Sequence, residues 1–209
     1  MQVNQYFGYL LLKAQALVLL LLRKHPQALF RFDRMLALLP TDRYALASRA
    51  HALVQLGRLD ESIVSLQQLT RLSGSPAQQG AAWFNLGYVL QQNGRHADAC
   101  PAFENAVGYC PGMDQAWYGL ALALIEQGKL REARRALKKT TTLQPMAPHG
   151  WYRLAQVDLA LGAPEKALQV ADHLHQFEPK VAAQLKRDIG LALSLPNCRQ
   201  DQAAHDNVR

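Results

Sequence analysis

Cysteine is scarce in this 209-residue sequence, with three residues whose spacing fits neither a complete disulfide set nor a zinc site. Cys100 and Cys110 are ten residues apart. If one helix carried both, they would be about 15 Å apart, which is too far for a bridge. We therefore predict free thiols in a reducing compartment, which favours the cytoplasm.

Motifs for catalysis and nucleotide binding are also missing. The sequence has no glycine-rich phosphate-binding loop, and no Ser, Cys or Asp stands in a recognisable nucleophile context. His173 and His175 could suggest a metal pair, but residues two apart on a helix point to different sides. These absences predict a protein that is not an enzyme and that uses neither a cofactor nor a metal ion.

No uninterrupted apolar run has the length of a membrane span. Residues 6–22 are strongly apolar, but Lys13 and Gln15 interrupt them, and a spanning helix needs about 20 predominantly apolar residues. The stretch before them has no positive charge of the kind that opens a signal peptide. We expect residues 6–22 to form a buried helix. The alternatives are a helix that contacts a membrane or a partner, which would place the protein on or anchored at the inner face of a membrane, and a cleaved signal.

The residues that are abundant favour helix. Leu, Ala and Gln dominate while Val and Ile are sparse, and the 49% hydrophobic content is enough for a real core. The formal net charge is +7, from 23 Lys and Arg against 16 Asp and Glu. This balance mildly favours acidic partners.

A repeat of 34 residues runs through the second half of the sequence. Residues of five types return in one register, in the order Trp, Leu, Gly, Ala, Pro, and this order and period resemble the tetratricopeptide repeat. We expect the tryptophan of each unit, such as Trp117, to be its packing residue. The recurring positions are Trp83, Trp117 and Trp151; Leu86, Leu120 and Leu154; Gly94, Gly128 and Gly162; Ala99, Ala133 and Ala167; and Pro111, Pro145 and Pro179.

The resemblance implies an all-α fold, a right-handed superhelical solenoid of helix-turn-helix repeats with a C-terminal capping helix and about eleven helices in total. Three details depart from a regular array: Arg23 replaces a turn glycine, extra residues near SGSPAQQG predict a longer loop, and Pro101 predicts a kink or a late helix start. The predicted segments are a hydrophobic helix with a degenerate first repeat (1–42), four units (43–79, 80–113, 114–147 and 148–181), the capping helix (182–195) and a polar flexible tail (196–209).

By the same resemblance, the functional surface is a concave groove lined by the first helix of each unit. It implies a non-catalytic scaffold or adaptor that binds a peptide or helix of a partner protein; the alternative is a membrane-associated assembly or secretion factor that uses residues 6–22. Some relatives clamp the C-terminal carboxylate of heat-shock chaperones, but that clamp is incomplete here, which predicts against such a partner. Some groove rings could instead pack between helices. The predicted groove residues are Tyr44, His51, Phe84, Asn85, Tyr88, Gln92, Gln115, Tyr118, Glu126, His149, Tyr152 and Arg153.

A basic stripe follows one helix face of the unit 114–147. It consists of Arg131, Arg134, Arg135 and Lys138, spaced at three, four and seven residues. We expect either an outward solvated face or a docking surface for an acidic protein or lipid. Nucleic acid is not expected, because this helix lacks the interleaved aromatic and amide side chains that contact bases.

Overall fold

A computed structural model describes residues 3–194, and every regular element in that range is an α-helix. The predicted all-α class is confirmed, with eleven helices and no β-strand in the part of the chain that is described. The helices are α1 Val3–Leu21, α2 His25–Leu38, α3 Arg43–Gln55, α4 Leu59–Arg71, α5 Pro76–Gln92, α6 His96–Tyr109, α7 Asp114–Glu126, α8 Leu130–Leu143, α9 Pro148–Ala160, α10 Pro164–His175 and α11 Pro179–Ser194.

The chain divides into two compact units, Met1–Lys129 and Leu130–Arg209. In the first unit, each helix from α1 to α7 packs on the next along the chain, and α5 also contacts α7. In the second unit, α8 to α11 pack in the same sequential way, and α9 also contacts α11. Contacts between alternate helices stack one hairpin on the next, which is how repeats bury apolar faces that a single hairpin leaves open.

Left-handed residues close the turns within the hairpins. Gly57, Gly94, Gly128 and Gly162 have φ angles of 72°, 73°, 70° and 74°, a region that glycine reaches without steric penalty. Arg23 takes the corresponding place between α1 and α2 and adopts the same conformation, with φ at 55°. The first hairpin therefore closes like the others. Because arginine has a Cβ atom, its left-handed conformation costs about 1 kcal/mol of conformational free energy.

The extra residues before the unit 80–113 lengthen a helix rather than a loop. α5 begins at Pro76, and Ser75 caps it: the Gln78 amide donates to Ser75 Oγ over 3.3 Å, and the Ser75 amide donates to Gln78 Oε1 over 3.0 Å. This capping box with proline at the first position starts the helix one turn early. The predicted longer loop is therefore wrong, and the predicted boundary between 79 and 80 lies inside α5.

Pro101 does not delay the helix that contains it. α6 begins at His96, five residues earlier, and continues through Pro101 to Tyr109. The amide that proline lacks would have bonded to a carbonyl in the first turn, so the helix loses one hydrogen bond near its end rather than in its middle. The predicted late start is therefore wrong.

The C-terminal helix begins earlier than the sequence predicted. α11 starts at Pro179, three residues before the predicted start at 182, because proline is favoured in the first turn of a helix. Its buried residues are Ala182, Leu185 and Ile189, which cover α9 and α10. Residue 195 and the predicted tail 196–209 lie outside the described residues.

In the core of the first unit, a phenylalanine is packed between two glycines. Phe103 is fully buried, and a Cβ atom added at Gly87 or Gly119 would come within 2.9 Å or 2.6 Å of its ring. Trp117 is only half-buried, and its indole nitrogen donates to the Pro111 carbonyl over 2.9 Å. Phe103 thus occupies the central packing position that the sequence suggested for Trp117.

The N-terminal helix is buried on one face. Leu12 and Ala16 of α1 join Phe32 and Met35 of α2 in one apolar cluster. Among the described helices, none combines the length and apolar character needed to cross a bilayer. The expectation that residues 6–22 form a buried helix therefore holds for the face with Leu12 and Ala16, but it is wrong for the opposite face, where Phe7, Leu11 and Leu21 are more than half exposed.

Candidate partner-binding groove

A cavity of about 310 Å³ lies in the first unit between α3 and α5. It brings together four of the predicted groove residues, one on α3 and three on α5: His51, Asn85, Tyr88 and Gln92. Four further lining residues were not predicted from the sequence as groove residues: Val54 and Gln55 on α3, and Ser62 and Leu66 on α4. The remaining lining residues are Ala47, Ala50 and Val89.

Tyr88 is the aromatic side chain of this cavity. It is 48% exposed, and its ring stacks on Phe84 with ring centroids 6.3 Å apart. Phe84 in turn contacts the buried Phe103 at 6.1 Å. The Gln92 amide donates to the Tyr88 hydroxyl over 3.0 Å. The core therefore supports the ring from below and Gln92 orients its hydroxyl, while nearly half of the side chain stays open to a ligand.

Tyr44 is placed differently from Tyr88. It is half-buried, the ammonium of Lys13 lies 4.3 Å above its ring, and Phe32 contacts it edge-on at 6.4 Å. Asp42 caps α3 by accepting from the Tyr44 amide over 2.9 Å, and it also accepts from the Tyr9 hydroxyl. Partial burial and the bond to Asp42 raise the pKa of Tyr9. Tyr44 thus packs against the first hairpin.

The predicted groove residues on α7 lie outside the cavity between α3 and α5. Gln115 and Glu126 are exposed, and Tyr118 is half-buried. None of these three residues is among those that line that cavity. Their assignment to the groove stays a prediction.

In the second unit, the three predicted groove residues lie on α9. His149 and Arg153 are exposed, and Arg153 donates to Gln156 Oε1 over 2.9 Å. Tyr152 is half-buried and donates its hydroxyl to Asp188 on α11. This hydrogen bond, with partial burial, raises the pKa of Tyr152. Tyr152 therefore links α9 to the C-terminal helix.

The basic stripe on α8 is not uniformly outward. Arg131, Arg135 and Lys138 are exposed, but Arg134 is half-buried and pairs with Asp158, whose side chain is only 4% exposed. The expectation of one solvated face therefore fails at Arg134, because the buried carboxylate needs a cation beside it.

Asp158 was missed, although the repeat register contains a signal for it. It stands seven residues after Trp151, where the two preceding units have Leu90 and Leu124, both of which are buried. A carboxylate at a position that is buried in each neighbouring unit requires a partner. The register alone does not say that Arg134 supplies it.

A second cavity, of about 330 Å³, lies beside this ion pair in the second unit. Lys138 and Lys166 line it together with Trp151 and His173. The His173 ring packs 4.4 Å from the Trp151 ring, and its buried Nε2 has no hydrogen-bond partner among the described residues. Because Asp158 is paired with Arg134, the two lysines give this cavity a positive charge.

Within residues 3–194, no three His, Cys, Asp or Glu side chains are grouped as metal ligands.

Two tetratricopeptide repeat profiles match the chain, one over residues 47–114 and one over residues 90–151, and together they span about half of it. The chain belongs to the tetratricopeptide repeat family. Proteins of this family form extended surfaces for other proteins, so this membership agrees with the general expectation of a protein-binding adaptor.

Similar solved structures share this fold at low sequence identity. MamA from Desulfovibrio magneticus RS-1 is 20% identical, with 86% of this chain and 96% of that chain covered and a TM-score of 0.72. YrrB, described as a TPR protein with an unusual peptide-binding site, is 21% identical over 82% of this chain and 88% of its own, with a TM-score of 0.71. Pseudomonas aeruginosa pilF is 16% identical over 84% and 79%, with a TM-score of 0.68. No curated protein matches the chain by sequence.

Proposed function

We propose that this tetratricopeptide protein is a non-catalytic scaffold and that the groove between α3 and α5 holds a segment of a partner protein. The observation that supports the proposal is the composition of the 310 Å³ cavity, in which a half-exposed tyrosine stands beside amide and imidazole side chains. Large rings supply contact area at a low entropy cost, and amides pair with the backbone of a bound peptide. The similarity to YrrB, a peptide-binding protein of the same fold, is consistent with this use.

The lining also limits the chemistry of the occupant. It contains no Asp, Glu, Lys or Arg, so it offers no counter-ion to a charged side chain or to a terminal carboxylate. The side-chain amides of Gln55 and Asn85 make no hydrogen bond within the described residues and are available to a ligand. We therefore expect an internal, uncharged stretch of the partner, with an apolar side chain against Tyr88 and its backbone on the amides.

An acidic side chain of a partner fits the second unit better. The cavity beside Trp151 carries Lys138 and Lys166, and its third cation, Arg134, is already paired with Asp158. We propose that this cavity is where an acidic side chain of a partner protein binds, as the basic stripe suggested. The cytoplasm remains the proposed location, because three cysteines do not form a complete disulfide set.

Tyr88→Ala is expected to weaken peptide binding about 30-fold, which corresponds to the roughly 2 kcal/mol lost when an anchoring ring is truncated. Peptides selected from a random phage-displayed library on the wild-type protein provide the ligand, and fluorescence polarisation gives the Kd. Because the ring is half-exposed, the melting temperature should change little. The measurement compares Tyr88→Ala with Tyr109→Ala.

Tyr109 is a matched control. It is 45% exposed and ends α6, outside the groove lining. Its truncation should leave the Kd unchanged. Equal Kd values for both variants, or a failure of the wild-type protein to select any peptide, would exclude the groove as the binding surface.

A further inference from the structure

The face of α1 that does not pack on α2 is apolar from Phe7 to Leu21. Together with the exposed Ala14, its side chains recur at spacings of three and four residues, which puts them on one side of the helix. Within residues 3–194 they remain strongly exposed, although α1 is fixed in the fold by its opposite face. They are Phe7 at 69%, Leu10 at 43%, Leu11 at 52%, Leu17 at 49%, Val18 at 55% and Leu21 at 83% exposure.

This face lacks the polar residues that a water-exposed helix surface normally carries. The one charged residue of α1 is Lys13, which is half-buried with its ammonium above the Tyr44 ring. A helix that is apolar all round belongs in a core or at a membrane, and a contiguous exposed apolar patch of this kind marks a contact surface. No described helix is long and apolar enough to cross a bilayer. A membrane would therefore contact the exposed face of α1 with the helix lying parallel to the membrane surface.

The surrounding charge selects among the possible occupants. The first 32 residues contain four basic side chains, Lys13, Arg23, Lys24 and Arg31, and no acidic one. Arg23 and Lys24 are exposed in the turn directly after the apolar face. Two copies of this chain whose α1 helices paired in parallel through the face would bring these cations together without a counter-ion, whereas an anionic lipid surface complements them.

We propose that α1 is an in-plane membrane-docking helix that binds anionic lipid surfaces. The apolar face enters the boundary between headgroups and acyl chains, as in other interfacial helices, and Arg23 and Lys24 reach the phosphate groups with their aliphatic stems against the acyl region. An isolated interfacial helix needs a polar side that faces water. α1 does not need one, because its other side, with Leu12 and Ala16, is covered by α2. The groove between α3 and α5 plays no part in this contact.

Vesicle binding tests the proposal with the full chain. The wild-type protein should co-sediment with vesicles of phosphatidylglycerol and phosphatidylcholine in equal parts, and much less with phosphatidylcholine alone. The face variant Leu17→Gln, Val18→Gln, Leu21→Gln should weaken binding about tenfold for each side chain. The charge variant Arg23→Gln, Lys24→Gln should weaken it about fivefold for each cation. All substituted side chains are surface residues, so circular dichroism should be unchanged.

Leu191→Gln with Leu193→Gln is the matched control, because these two α11 leucines are 65% and 59% exposed. This control variant should bind as the wild type does. Equal binding by the face variant would overturn the proposal, as would the absence of any binding to anionic vesicles. Sedimentation velocity showing a dimer that the face variant abolishes would assign the face to a second copy instead.

Discussion

Phe103→Ala is expected to destabilise the first unit by about 3–5 kcal/mol, the range for removing a fully buried aromatic side chain. Phe103 is 0% exposed and lies against the backbones of α5 and α7 at Gly87 and Gly119. The substitution would leave a cavity between two backbones that glycine brings close, and such a cavity adds to the cost of the lost side chain. Urea unfolding followed by circular dichroism measures the loss.

Two comparisons make this result specific. Trp117→Ala should cost less, because Trp117 is only half-buried and its hydrogen bond to the Pro111 carbonyl lies at the surface. Gly119→Ala should destabilise the wild type by about 1–3 kcal/mol through overpacking, yet cost little in the Phe103→Ala background, where the new methyl group has space. A Trp117→Ala variant less stable than Phe103→Ala would return the central packing role to tryptophan.

Arg134→Met is expected to destabilise the second unit by about 3 kcal/mol. It leaves the Asp158 carboxylate buried without its cation, and breaking such a pair costs roughly 3–5 kcal/mol. We take the lower end because the Arg134 side chain is 27% exposed while that of Asp158 is 4% exposed. Arg135→Met, an exposed neighbour on α8, is the matched control and should be nearly neutral.

The repeat register supplies the rescue for this variant. Leucine is the residue at the equivalent position in the two preceding units, so Arg134→Met combined with Asp158→Leu removes the uncompensated charge and keeps an apolar side chain there. The double variant should recover most of the lost stability, because replacing both partners of a buried pair by apolar groups is often neutral. A double variant as unstable as Arg134→Met alone would show that the ion pair is not the cause.

The backbone of this fold could be predicted from the sequence to a large degree. The 34-residue register locates a hairpin turn at Gly94, Gly128 and Gly162, and each of these residues has the left-handed conformation that such a turn needs. It also predicted helices only, and the described residues contain nothing else. A register of this kind is readable because stacking requires the same residue type at the same place in each unit.

Side-chain environments were less predictable, because they depend on neighbours that the register does not specify. Phe84 and Tyr152 both directly follow the tryptophan of their unit, yet Phe84 contacts the buried Phe103 while Tyr152 bonds to Asp188 on α11. The early start of α5 is a local effect of Ser75 and Gln78, a capping box that the sequence contains but that the repeat pattern obscured.

Site-specific photocrosslinking tests the groove most directly. A photoreactive benzoylphenylalanine replaces Tyr88 in one variant and Tyr109 in another, which keeps an aromatic ring at each of the two similarly exposed positions. In a lysate of the cells in which the protein naturally occurs, the variant with benzoylphenylalanine at position 88 is expected to form a discrete adduct with a partner protein. An excess of a peptide selected on the wild-type protein should suppress that adduct. Position 109 should form none. No adduct from position 88, or the same adduct from both positions, would contradict the account of a partner bound between α3 and α5.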